Sequence, residues 1–483
     1  MYQQLQRWQL YHGLRIRLFP LIVGKEGADA PAFALTLADT LTFSLLLNSI
    51  MKYSQFNSLV PYDKGFLLYN SFTNNYLVLK PLLKELLQAA QVEGVDKIQA
   101  VHAQFYDALK DGGYLIDEYV DEVDKVREIS QKVDLNDEIY RLTINPTMNC
   151  NFKCWYCYET HIKGSRMSQD IIKRTNSFIS QTAQIPTLKN FSLSWFGGEP
   201  LLYFEDIVLP IMKHFTQVCK EANIIGGIGF TTNGYLIDEK MAATLKEYNV
   251  QHMQITLDGC EEDHDLIRYV SKSRGSYKEI MQNIKLLLTY GIRVTMRINY
   301  TLDKIAKCKN ILFDIVDLSD EQREFLTIDF HRVWQDKGED ELDLSKSTFN
   351  AFQQAGFNVK SHYAPDNVRD SCYADKKNSC TINYNGDIFK CTARDFTTKA
   401  REGYMNEEGA IVWENDSLNR RLSAKFNNKP CLSCRIMPLC NGGCSQHALD
   451  HLGGEDYCVH SFDEREKDKI VVAKFEQALA SLG

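Results

Sequence analysis

The 483-residue chain has no excess of basic charge. Its 55 lysines and arginines face 63 aspartates and glutamates, a net charge of −8. Broad, sequence-independent nucleic-acid binding needs a basic face, so that class is excluded. Long apolar runs are missing as well. Asp39 and Asn48 interrupt the region around Phe43–Leu47, and no run approaches the roughly 18 residues of a membrane span. Arg7, Arg15 and Arg17 precede apolar stretches near the start, but no small-residue cleavage pattern follows a clean apolar core. No solenoid repeat recurs. The sequence therefore predicts a cytoplasmic protein with reduced thiols and neither a membrane nor a nucleic-acid partner. Its length suggests two to four domains.

What it has is cysteine, unevenly spread. Of 14 cysteines, eight fall between Cys372 and Cys458 and three between Cys150 and Cys157, while Cys219, Cys260 and Cys308 stand alone. A small secreted domain uses such density for disulfides. A chain this long without a secretory signal is expected to use it for metal. The three lone cysteines read as packing residues. His161, His264, His331 and His447 read as surface or satisfied core histidines.

Residues 139–335 alternate strand and helix patterns. Strands are expected at Ile139–Asn145, Phe191–Phe196, Gly227–Thr232, His252–Leu257, Arg293–Asn299 and Leu326–His331. Ser168 is expected to start one intervening helix, and Ser276 with Glu279 another through a capping box. Six such repeats imply a parallel sheet, an open or partial barrel whose site lies at the C-terminal strand ends. Cys150, Gly197-Gly198-Glu199, Asn233-Gly234 and Asp258-Gly259 follow the first four strands in turn. Residues 51–135 read as a winged-helix-like module: strands at Phe66–Tyr69 and Tyr76–Leu79 joined through Asn70–Asn75, helices at Pro81–Ala90 and Val101–Leu109, and a Gly112-Gly113 wing. The hairpin Phe66–Leu79 is expected to offer an exposed edge. Residues 1–50 form an extension without a recognisable module, read either as translation from upstream of the true start or as a mobile extension. Residues 341–371 read as a helical connector, and residues 372–470 as a region stabilised by bound clusters.

The segment Cys150-Asn151-Phe152-Lys153-Cys154-Trp155-Tyr156-Cys157 contains Cys-x3-Cys-x2-Cys. Three thiolates in one loop can hold three irons of a [4Fe–4S] cube and leave the fourth open. Zinc more often shows paired Cys-x2-Cys units with a clear fourth ligand. The run, with Tyr156 as the aromatic before the last cysteine, resembles the signature of the radical S-adenosylmethionine (SAM) superfamily. The resemblance implies that SAM chelates the open iron and is cleaved by one electron, donated by a flavodoxin or ferredoxin, to a 5′-deoxyadenosyl radical. It further implies that Gly197, Gly198 and Glu199 hold the methionine amino group. Asn233, Thr256 and Asp258 would line the ribose, Arg268 would pair with the SAM carboxylate, and Arg297 and Asn299 would face SAM.

Downstream, the pattern is Cys372-x7-Cys380-x5-Gly386-x4-Cys391, then Cys431-x2-Cys434-x5-Cys440-x3-Cys444-x13-Cys458. Eight thiolates suffice for two fully ligated clusters, or for two zinc sites. The spacing resembles the SPASM extension of peptide-modifying radical SAM enzymes. That resemblance assigns Cys372, Cys380, Cys391 and Cys444 to an inner cluster, and Cys431, Cys434, Cys440 and Cys458 to an outer one. It also makes residues 51–135 similar to a leader-peptide recognition module. Anaerobic sulfatase-maturating enzymes, a related group, carry an Asp base directly after the Gly-x4-Cys cysteine; here Thr392 stands there and Asp395 is displaced.

The expected fold is thus α/β: a partial (β/α)6 TIM-like barrel with an N-terminal winged-helix-like module and a C-terminal iron–sulfur SPASM domain. The expected function is modification, by crosslinking, of a ribosomally made precursor peptide. Formylglycine formation in a sulfatase is the second enzyme reading. A catalytically silent peptide-binding partner is the third, and the intact Cys150, Cys154 and Cys157 set argues against it. Three clusters predict about twelve irons per chain after anaerobic reconstitution, about four for each cluster. Iron analysis checks this; stoichiometric zinc with little iron contradicts it.

Overall fold

The computed structural model describes residues 50–271, 273–338, 344–360 and 368–480, together with the backbone of Ile16–Leu18. Most of the expected 1–50 extension lies outside the described residues.

Six parallel strands stand where the alternation put them, with ends moved by a residue or two. They are β1 (Ile139–Ile144), β2 (Asn190–Trp195), β3 (Ile225–Thr232), β4 (Val250–Leu257), β5 (Arg293–Tyr300) and β6 (Leu326–Arg332). Each pairs in parallel with the next. Successive side chains of a strand point to opposite faces. Leu142, Leu193, Ile255, Met296 and Ile328, on one face, are buried in one core with Trp195 and Phe230, while Arg141, Ser192, Gln254, Thr295 and Thr327 stand on the other. Each such buried apolar side chain contributes roughly 1.5–3 kcal/mol through burial. Helices Gln169–Thr182, Leu209–Glu221, Glu239–Glu247, Glu261–Ile267 and Tyr277–Thr289 occupy connections between these strands.

Ser168 caps its helix, its Oγ accepting from Ile171 N at 3.3 Å. The capping box expected at Ser276 does not form. Ser276 Oγ donates to Arg268 O at 2.8 Å and contacts His264 Nε2 at 3.0 Å, so it is drawn into the buried turn before the helix. Glu279 pairs with Arg274 instead.

The sheet runs further than six strands. Short β7 (Asn358–Lys360) adds in parallel to β6, after the helix Leu344–Gln354 of the expected connector. On the other side, β8 (Ser379–Ile382) adds in parallel to β1, and β9 (Asp387–Phe389), β10 (Gly403–Met405) and β11 (Ile411–Trp413) follow antiparallel. Cys380 therefore belongs to the barrel's own sheet, in register with Leu142. The expected block 372–470 is divided. Asp134–His362 and Cys372–Ser423 form one compact unit; Met1–Val133, Tyr363–Ser371 and Ala424–Gly483 form a second. The local reason is visible at Ser379–Ile382: four buried residues complete the ladder beside β1.

In the second unit, strands Asn57–Tyr62, Gly65–Asn70 and Asn75–Leu79 make an antiparallel meander, followed by helices Pro81–Glu93, Lys97–Val101 and Ala103–Asp111. Asn70 Oδ1 closes the turn by accepting from Phe72 N and Thr73 N at 3.0 and 2.9 Å. The Gly112-Gly113 pair is a bend rather than a wing: Gly113, at φ +75°, delivers the chain to strand Leu115–Asp117, which pairs with Met51–Tyr53. The C-terminal helix Glu464–Ala480 sets Val471 and Phe475 among Val60, Leu67 and Tyr76. The hairpin edge expected to be exposed is occupied. Ile16, Arg17 and Leu18 pair in parallel with Tyr76, Leu77 and Val78. Among the described residues no helix is long and apolar enough to cross a membrane.

Among the described residues, removing 1–50 deletes the three-residue pairing of Ile16–Leu18 and the Glu118 N to Ile50 O hydrogen bond, and no residue of the meander or its core. A chain starting at Met51 should stay soluble and melt within about 4 °C of the full chain, as expected for a change near 1 kcal/mol. Thermal unfolding checks this, and insoluble protein contradicts it.

Candidate active site

The three-cysteine loop leaves β1 and is tied down at several points. Asn149 O accepts from Glu199 N at 2.9 Å. Gly197 and Gly198 take φ of +76° and +53°. A Cβ on Gly198 would stand 2.3 Å from Asn149 O, so only glycine lets the two loops approach. Within the cysteine loop, Cys157 N donates to Cys154 O at 3.1 Å, and Phe152 N points at Cys150 Sγ at 3.5 Å.

Tyr156 fastens the loop to two strand ends and to Arg268. Its hydroxyl donates to Asp258 Oδ1, after β4, and accepts from Asn299 Nδ2 on β5 at 2.9 Å. Arg268 Nη2 donates to the same hydroxyl at 2.9 Å, and Arg268 Nε donates to Asp258 Oδ2 at 2.5 Å. Arg297 Nε reaches Asn299 Oδ1 at 3.1 Å, and Thr256 stands in register with Arg297. From the third strand, Asn233 Nδ2 donates to Asn151 Oδ1 at 2.7 Å. Tyr156, Asn233, Asp258, Arg268 and Asn299 are thus joined with the cysteine loop in one set of hydrogen bonds.

Two expectations change in detail. Glu199 is buried, and its carboxylate accepts from Leu201 N, Thr232 Oγ1 and Asn233 N at 2.9, 2.7 and 2.8 Å. Burial raises its pKa while these bonds lower it. It braces the turn after β2 against β3. Arg268 spends Nε and Nη2 on Asp258 and Tyr156, because the neighbouring carboxylate compensates a buried guanidinium better than solvent can reach it. His264 is a satisfied core residue. Its Nδ1 accepts from Asp258 N at 3.1 Å, and burial pushes its pKa down to about 4.

Sequence reasoning missed several contributors. Glu159 accepts from Gly198 N at 2.7 Å. Asp395 accepts from Thr160 N and Oγ1 at 2.9 and 2.7 Å, and Tyr158 stacks on Trp334 with centroids 5.6 Å apart. Their partners are far apart in the chain, and no spacing rule links them.

The residues fit iron–sulfur clusters. Burial, above all, pushes the thiols of Cys150 and Cys157 up to about 12 and about 11, so they lose their protons to solvent when a cation such as cluster iron takes the sulfur in the proton's place. In the same compact unit stand Cys372, Cys380 and Cys391. Cys391 Sγ lies 3.3 Å from Ala393 N, and Cys380 Sγ lies 3.6 Å from the Tyr140 hydroxyl. In the other unit, Cys431, Cys434, Cys440 and Cys458 line one cavity of ≈ 300 Å³. That is the set assigned by resemblance to the outer cluster. Cys444 lies in this unit too, outside the cavity lining. Among the described residues no three His, Cys, Asp or Glu side chains converge on one ion's position.

Comparison with known proteins agrees with this geometry. The model of the radical SAM superfamily matches residues 144–304. A cysteine-type anaerobic sulfatase-maturating enzyme of Clostridium novyi is 26% identical over 343 residues, 62% of this chain and 86% of that protein. The radical SAM cyclopropyl synthase TigE of Paramaledivibacter caminithermalis is 21% identical, over 77% of this chain and 81% of that protein. The solved structure of native anSMEcpe with bound AdoMet and Kp18Cys peptide superposes with a TM-score of 0.52 at 18% identity, covering 71% of this chain and 98% of that one. Fold, site and family model together define a radical SAM domain on a partial barrel. Residues 144–304 belong to the radical SAM superfamily, and the chain is a radical SAM enzyme.

Tyr156→Phe keeps the ring and removes the hydroxyl that joins Asp258, Arg268 and Asn299. Leaving those groups short of a partner costs about 1–3 kcal/mol, so SAM affinity should fall about ten-fold with the iron content unchanged. Equilibrium binding of SAM to the reconstituted protein checks this; unaltered affinity contradicts it.

Proposed function

We propose that this enzyme cleaves SAM reductively and uses the radical to crosslink a ribosomally made precursor peptide. The observation that carries the first half is the fastening of the Cys150–Cys157 loop to the ends of β3, β4 and β5 through Asn151 and Tyr156. Cys150, Cys154 and Cys157 would hold a [4Fe–4S] cluster with one open iron, which when bound supplies SAM chelation and the cleaving electron. The chain's own residues do the rest. Gly197 and Gly198 leave backbone room beside the loop. Asp258, Arg268 and Asn299 hold Tyr156, and thereby the loop, in one place. Placement matters because a radical that reacts with one chosen hydrogen needs its partner fixed within contact distance.

The second half rests on the relatives and on the extra cysteines. Cys431, Cys434, Cys440 and Cys458 about one cavity, and Cys372, Cys380 and Cys391 beside the barrel, suit two auxiliary clusters, three in all with the one at Cys150. Those clusters would take up the electron left after bond formation or bind substrate sulfur. A flavodoxin or ferredoxin would deliver the electrons. Residues 51–135 would dock a leader segment. Such docking raises the effective concentration of the reacting segment and offsets an ordering cost of roughly 1–2 kcal/mol per residue.

Sulfatase maturation is the second reading, favoured by the match to the Clostridium novyi enzyme. Two contacts weigh against it. Thr392, at the position of the expected base, shares a hydrogen bond with the Tyr373 hydroxyl at 2.6 Å, and the displaced Asp395 is engaged by Thr160. Co-expression with the product of a neighbouring small open reading frame, read by mass spectrometry, separates the two. A loss of two hydrogens within one peptide is expected, dependent on Cys150, Cys154 and Cys157. Conversion of a sulfatase-type cysteine peptide to formylglycine, with the precursor unchanged, would overturn the crosslinking reading.

A further inference from the structure

Lys390 is a buried ammonium in an unusual setting. It directly precedes Cys391, yet its side chain turns back onto the segment between Cys372 and Cys380. It is 1% exposed. Nζ donates to Lys376 O, to Ser379 O at 2.7 Å and to Ser379 Oγ at 2.8 Å, with Lys377 O at 3.4 Å. Among the described residues, all four of these acceptors are neutral. An ammonium has three donors and no acceptor, so this cage satisfies its hydrogen bonds and leaves its charge unpaired.

Burying a charge is costly unless an anion compensates it. The carboxylates that face Lys390 are Glu402 and Asp375, the Cys380 thiol lies beside them, and the cationic group is Arg421. Glu402 is already taken. Its Oε1 pairs with Arg421, and its Oε2 accepts from Lys390's own backbone N at 2.7 Å. Trp413 closes one side of the cage, its ring centre 5.7 Å from Nζ. Candidates for the compensating anion are the thiols on either side of the cage, once they ligate iron. Ser379, whose carbonyl and hydroxyl hold Nζ, is adjacent to Cys380, and Lys390 is adjacent to Cys391.

The cage also has a mechanical consequence. Ser379 Oγ donates onward to Tyr373 O at 2.6 Å, one residue after Cys372. A single ammonium therefore links the stretches that carry Cys372, Cys380 and Cys391, across the β8–β9 hairpin. Accordingly we propose that Lys390 is a positioning residue for an iron–sulfur cluster at Cys372, Cys380 and Cys391, fixing the three thiols and supplying the buried counter-charge to the anionic cluster. This rests on the cluster reading given above.

A cation beside a cluster stabilises the more negative, reduced form, so its removal lowers the midpoint potential. The test uses the full chain with Cys150, Cys154 and Cys157 replaced by Ala, so that only the C-terminal clusters remain. Mediated dithionite titrations followed by electron paramagnetic resonance compare Lys390, Lys390→Met and Lys390→Arg in that background. One of two midpoints should shift downward in Lys390→Met, or one cluster's iron should be lost, with the other cluster unchanged; Lys390→Arg should stay close to the parent. Unchanged midpoints with unchanged iron in Lys390→Met would overturn the proposal while leaving the cluster reading intact. Absence of iron beyond the Cys150 site in the unmodified chain would overturn both. Should Lys390→Met fail to fold, pulsed resonance on the 15N-lysine-labelled parent decides. A nitrogen coupling to one reduced cluster supports the assignment, and no coupling overturns it.

Discussion

Three thiols on a loop between a strand and a helix have no fixed geometry of their own, and a cluster site with an open iron requires one. In this chain the hydroxyl of Tyr156 meets that requirement, bonding at once to Asp258, Arg268 and Asn299. Those residues end or follow strands β4 and β5, and the strands are fixed by a core of fully buried Ile, Leu and Met. Rigidity therefore passes from apolar packing to strand ends, from strand ends to one phenol, and from the phenol to the cysteines. The Asn233–Asn151 bond and the brace of Glu199 between the turn after β2 and β3 support the same loop from the other side.

A second constraint follows from the sheet. Because β8 continues it in parallel beyond β1, Cys380 is placed by the same ladder that places the strand leading to Cys150. The two groups of thiols in this unit share one scaffold, and a buried lysine with neutral acceptors sits at the junction of Cys372, Cys380 and Cys391.

Much of this was legible from sequence. The six strand patterns survive with small end shifts, since period-matched apolar residues decide them. The cysteine spacing pointed to the loop, and the residues after each strand pointed to its neighbours. What was not legible depends on contacts distant in sequence. Glu199 is held by donors from Leu201, Thr232 and Asn233, and Arg268 by Asp258 and Tyr156, contacts that no spacing predicts. The capping box at Ser276 lost to a buried histidine and a carbonyl. The division of residues 372–470 between two units had no compositional mark, because strand β8 is too short to stand out in a cysteine-rich stretch. The pairing of Ile16–Leu18 with the edge at Tyr76–Val78 likewise leaves no local pattern.

The central claim is that the Cys150 loop presents an open iron to SAM. The most direct measurement is electron–nuclear double resonance on the anaerobically reduced, reconstituted chain mixed with SAM carrying 15N in its amino group. The account predicts nitrogen coupling to one cluster, lost when Cys150, Cys154 and Cys157 are replaced by Ala. A fully reduced protein that shows no such coupling, or keeps it in the alanine variant, would contradict the account.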